Sequence, residues 1–509
     1  MRRLLKLLFS QIVIISLLLI LQVGLLAYLI VGLSRYFIYV DLLLKLISVI
    51  VVILIVNRHS NPVYKLAWVM PILAFPLFGG LFYLFIMGQR HTKRFFKNLS
   101  EIEKQTTQDF PQNPDVFHEI STIYPHRAPT VKYINNVAGL CAYRLKEAQY
   151  FTVGEEKWKA LLCELEKAQK YIFLEYFIIK DGQMWESVLD ILKRKAAAGV
   201  DVRILYDGMG SMENFPANYP RTLSSYGIKC RVFSPFTPFL SALQNNRDHR
   251  KIAVIDGTVA FTGGVNLSDE YINIGYDGGH WKDMSVMIKG SGAFSFAIMF
   301  LQMWSVATGE KIRSLDFAPS FEDDGAFSGY VMPYSDTPQD KYQTGEFIYL
   351  DIINKAKKYI YITTPYLILD HEMVVALTNA ALSGVDVKII CPLSVDHWYA
   401  RAVSYSYYKE LTESGVEIYE YTPGFIHGKT FCSDDELAVV GSINLDYRSL
   451  YLHFECAAWF IDSPIVDAVL NDFKTTLKKC RLVTVEDCNK ISPLKKMLNA
   501  FLRLFAPLM

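Results

Sequence analysis

A motif that occurs twice is what most constrains this chain. Residues 249–266 read HRKIAVIDGTVAFTGGVN, and residues 427–444 read HGKTFCSDDELAVVGSIN. Both fit H-x-K-x4-D-x6-G-x2-N, so each supplies a His, a Lys, an Asp, a Gly and an Asn at identical offsets. At ordinary residue frequencies one such match arises by chance in fewer than about one chain in a thousand. Two imply an internal duplication. A longer parallel supports it: YIFLEYFIIKDGQMWESVLDILKRKAAAGVDVRILYDG (171–208) against YIYITTPYLILDHEMVVALTNAALSGVDVKIICP (359–392). Each reads as a buried strand, a helix ending at Gly199 or Gly384, then a second buried strand. That is a βαβ unit, and two of them predict an α/β fold with a parallel or mixed sheet covered by helices. Two such halves about a pseudo-twofold axis bring both motifs to one interface and make one composite site.

The spacing inside the motif predicts a hairpin. Residues two apart in a strand share a face, so His249 lies with Lys251 and His427 with Lys429. Asp256-Gly257 is a strong two-residue turn signal after Ile252–Ile255. With that loop, Gly264 falls opposite His249 and Asn266 two residues further on. Asp434-Asp435 as the second loop places Ser442 opposite His427, with Asn444 two beyond. Each hairpin then gathers a His, a Lys and an Asn at its open end. Asp256 and Asp434 fall at the turns, which reads as structural even though the motif groups them with the catalytic His and Lys.

The gathered side chains suit phosphoryl chemistry. Lys and Asn donate hydrogen bonds to anionic oxygens. One His can attack phosphorus while the other protonates the leaving oxygen.

At these residues the chain resembles the phospholipase D superfamily. The strings RDHRKIAVIDGTVAFTGGVNLSDEY (247–271), HWKDMSVMIKG (280–290) and YTPGFIHGKTFCSDDELAVVGSINLDYRSLYLHFE (421–455) are similar to bacterial cardiolipin synthases. The resemblance runs from the apolar N-terminal segments to the C-terminus. Two departures are Leu450 and His453, which stand where the family pattern has Phe and Asn. The resemblance implies catalytic His249, Lys251, Asp256, His427, Lys429 and Asp434, with Asn266 and Asn444 on the substrate phosphate. It also implies that Asp283 and Glu455 orient the imidazoles in crossed fashion, Asp283 to His427 and Glu455 to His249. Glu270 and Arg448 are weaker candidates for the site wall. His280 and His453 have no counterpart His in the other half and read as non-catalytic.

The expected architecture is α/β: two phospholipase D-like α-β-α halves with pseudo-twofold symmetry, preceded by N-terminal transmembrane helices. Residues 1–97 form the membrane region, 98–150 a connector and 151–312 the first half. Residues 313–340 are a linker, 341–490 the second half and 491–509 an amphipathic tail. Leu7–Ser34 carries no charge over 28 residues, enough to cross a core of about 30 Å and too long for a cleaved signal peptide. Tyr36–Val56 carries Asp41 and Lys45 at i,i+4, and Leu66–Gly88 is interrupted by Pro71, Pro76, Gly79 and Gly80. In the tail, Leu494, Met497, Leu498, Phe501 and Phe505 share one helical face, suited either to a membrane surface or to packing on the catalytic body. Arg90, Lys93, Arg94 and Lys97 favour a cytoplasmic catalytic region if the third segment is re-entrant or the chain starts N-out.

Composition fits a membrane enzyme: 51% hydrophobic residues and a net charge of +1. A near-neutral balance argues against a nucleic-acid groove, so none is expected as a partner. Eight Cys without C-x-x-C spacing read as reduced thiols, with Cys432 packing inside the second motif. The resemblance implies a phosphatidyltransferase, a cardiolipin synthase that joins two phosphatidylglycerol molecules through a phosphohistidine and releases glycerol. Its partners are phosphatidylglycerol and anionic membrane lipid, in a multi-pass bacterial plasma-membrane protein. His249 is the nucleophile and His427 the general acid, an assignment that symmetry also allows in reverse. No cofactor is called for, and no metal-ligand spacing is present. The alternatives are a membrane-bound phospholipase D hydrolase or nuclease, in which water takes the phosphoryl group, and a binding scaffold, which two complete motifs disfavour.

Overall fold

In the computed structural model, residues 37–58, 61–76, 79–80, 83–84, 90–111, 113–212, 214–216, 218–235, 242–320, 326–338, 340, 342–394 and 398–508 are described, with residues 20, 24 and 28. The chain divides into two compact units. One comprises Phe96–Pro235 and Asn246–Arg503; the other comprises Met1–Phe95, Phe236–Asn245 and Leu504–Met509.

The larger unit holds two sheets of the same design. The first uses β1 (Glu147–Phe151), β2 (Tyr171–Tyr176), β3 (Asp201–Asp207), β4 (Lys229–Phe233), β5 (Lys251–Ile255), β6 (Val259–Gly263) and β7 (Ser285–Lys289), in the order β1-β7-β6-β5-β2-β3-β4. The second uses β8 (Tyr330–Asp336), β9 (Tyr359–Thr363), β10 (Asp386–Pro392), β11 (Glu417–Tyr421), β12 (Thr430–Ser433), β13 (Leu437–Gly441), β14 (Glu455–Ile461) and β15 (Cys480–Val483). Its core order, β8-β14-β13-β12-β9-β10-β11, repeats the first strand for strand, with Tyr143–Arg144 and β15 added at the edges. In each sheet the βαβ strands run parallel (β2 with β3, β9 with β10) and the motif hairpin antiparallel (β5 with β6, β12 with β13).

Sequence explains the layering. β2 is buried at every residue because helices cover both faces of its sheet. Helix Gln183–Ala197 covers one face through Met184, Trp185, Val188, Ile191 and Leu192, an apolar stripe at helical spacing. On the other face lies Ser291–Thr308, where Phe300 stacks on Phe173 at 4.6 Å. Among the described residues this is the helix whose length and apolar composition suffice to cross a membrane. It is 78% buried and forms part of the core.

Both hairpins turn at the expected residues but in a different register. Asp256 and Gly257 have φ of 52° and 70°, and Thr258 N–H closes the turn on the Ile255 carbonyl. Ile255 nevertheless lies opposite Val259, one residue later than a two-residue loop gives, and Ser433 likewise lies opposite Leu437. The extra residue has its own bond in each half. Thr258 C=O accepts from Gly290 N–H, and Glu436 C=O accepts from Asp462 N–H. Both turn carboxylates are fully engaged. Asp256 accepts from the backbone N–H groups of Gln169, Lys170 and Tyr171, and Asp434 from those of Lys357, Lys358 and Tyr359. Each Asp therefore locks the turn to the start of the neighbouring strand.

The connector and the linker both carry secondary structure of their own. The 98–150 connector forms helices Pro114–Ile123 and Ala128–Ala138, each with Pro in its first turn. It then supplies an edge strand to each sheet, Tyr143–Arg144 against β8 and β1 against β7. The 313–340 linker contains β8, paired with β14 along its whole length.

In the smaller unit, helix Phe37–Val56 leaves Ile38, Leu42, Leu46, Ile53 and Leu54 more than half exposed. Asp41 and Lys45 pair at 2.7 Å. The segment expected at 66–88 starts at Pro62, and its helix, Pro62–Ala74, ends where Phe75 leaves helical geometry. Thirteen residues rise only about 20 Å. Gly79 then approaches so closely that a Cβ there would lie 2.6 Å from Ile72 Cα. Ile72 and Tyr83 pack with Val51 and Ile55. The segment expected at 7–34 lies outside the described residues, apart from positions 20 and 28 and the intervening Gly24.

The tail helix Pro493–Arg503 buries Asn499 and sets Arg503 over the Tyr407 ring at 4.0 Å. Leu494, Met497 and Phe501 are 72%, 66% and 56% exposed, so this apolar face is turned away from the catalytic body.

Replacing Asp256 with Ala strands three backbone donors, a loss of about 1–3 kcal/mol. The expected outcome is a lower unfolding midpoint for Asp256→Ala and for Asp434→Ala. Near-wild-type turnover per folded molecule is expected at permissive temperature. Tryptophan fluorescence unfolding in detergent checks the first and a lipid assay the second.

Candidate active site

The two motifs meet because each half lends a segment to the other. Asp248, just before His249, forms a parallel bridge with Phe454, and Gly424–Ile426, just before His427, pairs in parallel with His280–Lys282. His249 N–H donates to the Phe454 carbonyl at 3.0 Å, and His427 N–H to the Lys282 carbonyl at 2.7 Å. Residue 455 thus arrives beside His249, and residue 283 beside His427.

Glu455 Oε1 lies 2.8 Å from His249 Nδ1, and Asp283 Oδ2 lies 2.7 Å from His427 Nδ1. Both carboxylates are fully buried, and both imidazoles are 9% exposed. With each Nδ1 engaged, Nε2 is the ring atom left for chemistry. The motif glycines make this approach possible. A Cβ on Gly263 would lie 2.5 Å from Ser285 Cα, and one on Gly441 2.6 Å from Ala457 Cα. The strands that follow the carboxylates can therefore press against the hairpins. One position later the halves differ. Gly264 leaves room for Asp283, whose Oδ1 would sit 2.0 Å from an added Cβ, whereas Ser442 Oγ donates to Glu455 Oε2 at 2.5 Å.

Lys251 and Lys429 are buried beside the imidazoles. Lys251 Nζ donates to the His249 carbonyl at 2.5 Å, and Lys429 Nζ bonds the His427 carbonyl and lies 2.9 Å from its Nδ1. Asn266 is held by Ile178 N–H, at 3.1 Å from Oδ1, and donates from Nδ2 to the Tyr271 hydroxyl at 2.7 Å. Asn444 is buried, and its Oδ1 has no hydrogen-bond partner among the described residues. Asp256 and Asp434 do not join the cluster. Their carboxylates serve the turns at the far ends of the hairpins, which corrects the motif's grouping of them with the catalytic residues.

Burial governs the charges. Desolvation holds the Lys251 ammonium down to about 7, against the pull of Glu455. Desolvation, reinforced by Lys251, His453 and Lys429, drives His249 well below 6.5. Desolvation and Lys429 also lower His427, but the Asp283 charge opposes them. Burial raises the Glu455 carboxyl well above its ordinary range. An anion bound here favours the charged forms of Lys251 and the imidazoles.

Two residues near the cluster lacked a sequence signal. Arg250, the middle residue of the first motif, is buried and donates from Nε to the Glu455 carbonyl at 3.2 Å. Gly428 stands at the same place in the second motif. His453, read as non-catalytic, has its ring centroid 5.5 Å from that of His249. Only the departure from the family pattern at position 453 pointed to it. Glu270 is held outside the imidazole pairs, bonded to the Ser268 hydroxyl.

Fold and site together define a phospholipase D-like enzyme of phosphoryl transfer. Residues 161–291 and 349–477 match the family described as cardiolipin synthase, PLD-like domain, and residues 46–86 match phospholipase D-nuclease N-terminal. The chain belongs to the cardiolipin synthase family of the phospholipase D superfamily, and it is a phosphatidyltransferase. It is 32% identical to a cardiolipin synthase of Geobacillus kaustophilus over 91% of this chain and 92% of that one. Against cardiolipin synthase 2 of Bacillus anthracis it is also 32% identical, over 90% and 89%. An uncharacterised protein of Streptococcus mutans is 43% identical over 90% of this chain and 99% of its own. Among solved structures, the phosphatidylserine synthase of Haemophilus influenzae shares the fold. Its TM-score is 0.57 at 16% identity, over 74% of this chain and 98% of that one.

The Lys251 shift predicts a pH dependence. A depressed lysine loses its charge as pH rises through about 7, while a depressed His249 stays neutral below 6.5. The kcat/KM profile, which reports the free enzyme, should fall on the alkaline side as His427 and Lys251 lose their protons and hold on the acid side. Lys251→Arg should move the alkaline limb upward. Separately, Asp283→Asn and Glu455→Gln should each cost about a thousandfold or more in kcat, with little change in unfolding midpoint.

Proposed function

We propose that the enzyme is a cardiolipin synthase that transfers a phosphatidyl group from one phosphatidylglycerol to another. The observation that carries this reading is the pair of imidazoles, each tied at Nδ1 to a buried carboxylate from the opposite half. That arrangement provides two Nε2 atoms for one phosphorus, and relatives matching along nearly the whole chain are named cardiolipin synthases.

In the first step His249 Nε2 attacks phosphorus and the bond to the glycerol oxygen breaks. His427 gives its Nε2 proton to that oxygen, and glycerol leaves. In the second step a headgroup hydroxyl of the other phosphatidylglycerol attacks phosphorus and the phosphorus–nitrogen bond breaks. The hydroxyl proton passes to His427, so the enzyme returns to its starting state and the product is cardiolipin. The differing charge environments support this division. Burial, reinforced by Lys251, His453 and Lys429, drives His249 toward the neutral, nucleophilic form, whereas at His427 the Asp283 charge opposes burial and Lys429 and favours the protonated form. Lys251, Lys429, Asn266 and Asn444 face the phosphoryl oxygens and offset the charge that develops there. The chain's own cations suffice for that role, so the reading calls for no metal.

The membrane supplies the substrate. Residues 46–86, which match the phospholipase D-nuclease N-terminal family, and the exposed apolar face of Phe37–Val56 fit a bilayer anchor. The fold-back at Gly79 suits a segment that enters and returns. That path leaves Arg90, Lys93, Arg94 and Lys97 on the cytoplasmic face with the catalytic unit, as the positive-inside rule favours. The exposed face of Pro493–Arg503 suits the interface beside it.

Purified protein in detergent, given phosphatidylglycerol without divalent metal, should yield cardiolipin and glycerol. Both products should be lost in His249→Ala and His427→Ala. Mass spectrometry of the lipid products decides: phosphatidic acid as the main product makes the enzyme a hydrolase and overturns the synthase reading.

A further inference from the structure

We propose that His453 is a further contact for the phosphoryl group, holding a non-bridging oxygen of the phosphatidyl unit as it sits on His249. The inference rests on the proposed function for the identity of that group, and on the following geometry for the contact itself.

His453 lies two residues before Glu455, and Trp281 two residues before Asp283, so the two occupy corresponding places. In a strand that spacing turns both side chains to the same face. Each accordingly flanks the imidazole that its carboxylate pairs: Trp281 at 5.7 Å from His427, and His453 at 5.5 Å from His249. The two walls differ in chemistry. Trp281 packs with Tyr271, Tyr276 and Phe425 at 4.8–5.0 Å between ring centroids, an aromatic enclosure. His453 brings a polar ring to the equivalent position.

That ring is 11% exposed, and neither nitrogen makes a hydrogen bond among the described residues. Its Nδ1 stands 3.9 Å from Glu455 Oε1, beyond hydrogen-bonding range. A buried imidazole without a partner is destabilising, and a ligand oxygen relieves that. The ligand atoms of His249, His453 and Glu455 lie within 4.8 Å of one another. Such a separation also fits a cation, but burial raises the Glu455 carboxyl well above its ordinary range, and the cationic side chains around His453 are Arg448, Lys251 and Arg247. They repel a cation and attract an anion. The same charges, after desolvation, hold His453 well below 6.5, so it meets the phosphoryl group as a neutral donor. A Leu at this position has no N–H to offer.

Orthovanadate, an oxyanion that accepts five oxygen neighbours, is the probe. Its inhibition constant does not depend on the fraction of folded enzyme, and it can be read against whichever lipid product forms. The wild-type products in the same assay therefore test the proposed function separately. His453→Leu should raise the inhibition constant about tenfold, the worth of one hydrogen bond to a charged group. His453→Asn or His453→Gln, whichever carboxamide reaches the same oxygen, should restore it to within about threefold. If the Leu variant is too slow to assay, the rise in unfolding midpoint with orthovanadate replaces inhibition and should shrink in Leu alone. An unchanged constant or an unchanged midpoint shift in His453→Leu overturns the inference. So does loss of inhibition in wild-type enzyme that was treated with a chelator and freed of it before orthovanadate is added, which would make the cluster a cation site.

Discussion

The reciprocal gift of a carboxylate from each half to the other half's imidazole is the interaction on which this structure depends. Neither half contains a complete pair: His249 finds Glu455 206 residues away, and His427 finds Asp283 144 residues away. The segments carrying these partners are held by backbone pairing across the interface, Asp248 to Phe454 and Ile426 to Lys282. A buried ion pair, Lys282 to Asp472 at 2.7 Å, also crosses it. A shift between the halves would therefore break both pairs at once. Duplication explains how such a site arises. A half with a His at one strand end and a carboxylate at another completes itself by docking against a copy.

Burial gives this arrangement its chemical character. Removing two lysines, two histidines and two carboxylates from water is costly unless they compensate one another. Here the compensation is partial, as the depressed Lys251 and His249 and the raised Glu455 show. A bound phosphate diester returns charge to Lys251 and hydrogen bonds to the imidazoles. Binding and activation of the site are thus a single event, and little of the compensation is available to a neutral molecule such as water alone.

Much of this was legible in the sequence, for identifiable reasons. The βαβ repeats showed because buried parallel strands are apolar throughout and because each helix ends at Gly199 or Gly384, both with positive φ. The His, Lys and Asn of the motif showed because fixed offsets in a hairpin put them at one end. The hairpin register did not. It depends on Thr258 and Glu436 bonding to strands on their far sides, Gly290 and Asp462, which local turn rules ignore. Polar composition made 313–340 and 98–150 resemble joints, yet both contain sheet strands whose partners lie elsewhere in the chain. Arg250 escaped notice because its role depends on a carbonyl 205 residues away.

The departures from symmetry carry a further lesson. Gly264 answers to Ser442, Gly428 to Arg250, and Trp281 to His453. At His427 the wall is aromatic, and Asp283 has its Oδ1 on Met284 N–H. At His249 the carboxylate is gripped by a serine hydroxyl, its own carbonyl by a buried arginine, and the wall is a second imidazole. Two sites that began alike now differ in polarity and in the charge each imidazole can hold. Under the proposed mechanism, in which one histidine is the nucleophile and the other carries the proton, that difference favours one assignment over its reverse. With identical surroundings, both imidazoles would have the same proton affinity, and either could take up the proton that only one of them should carry.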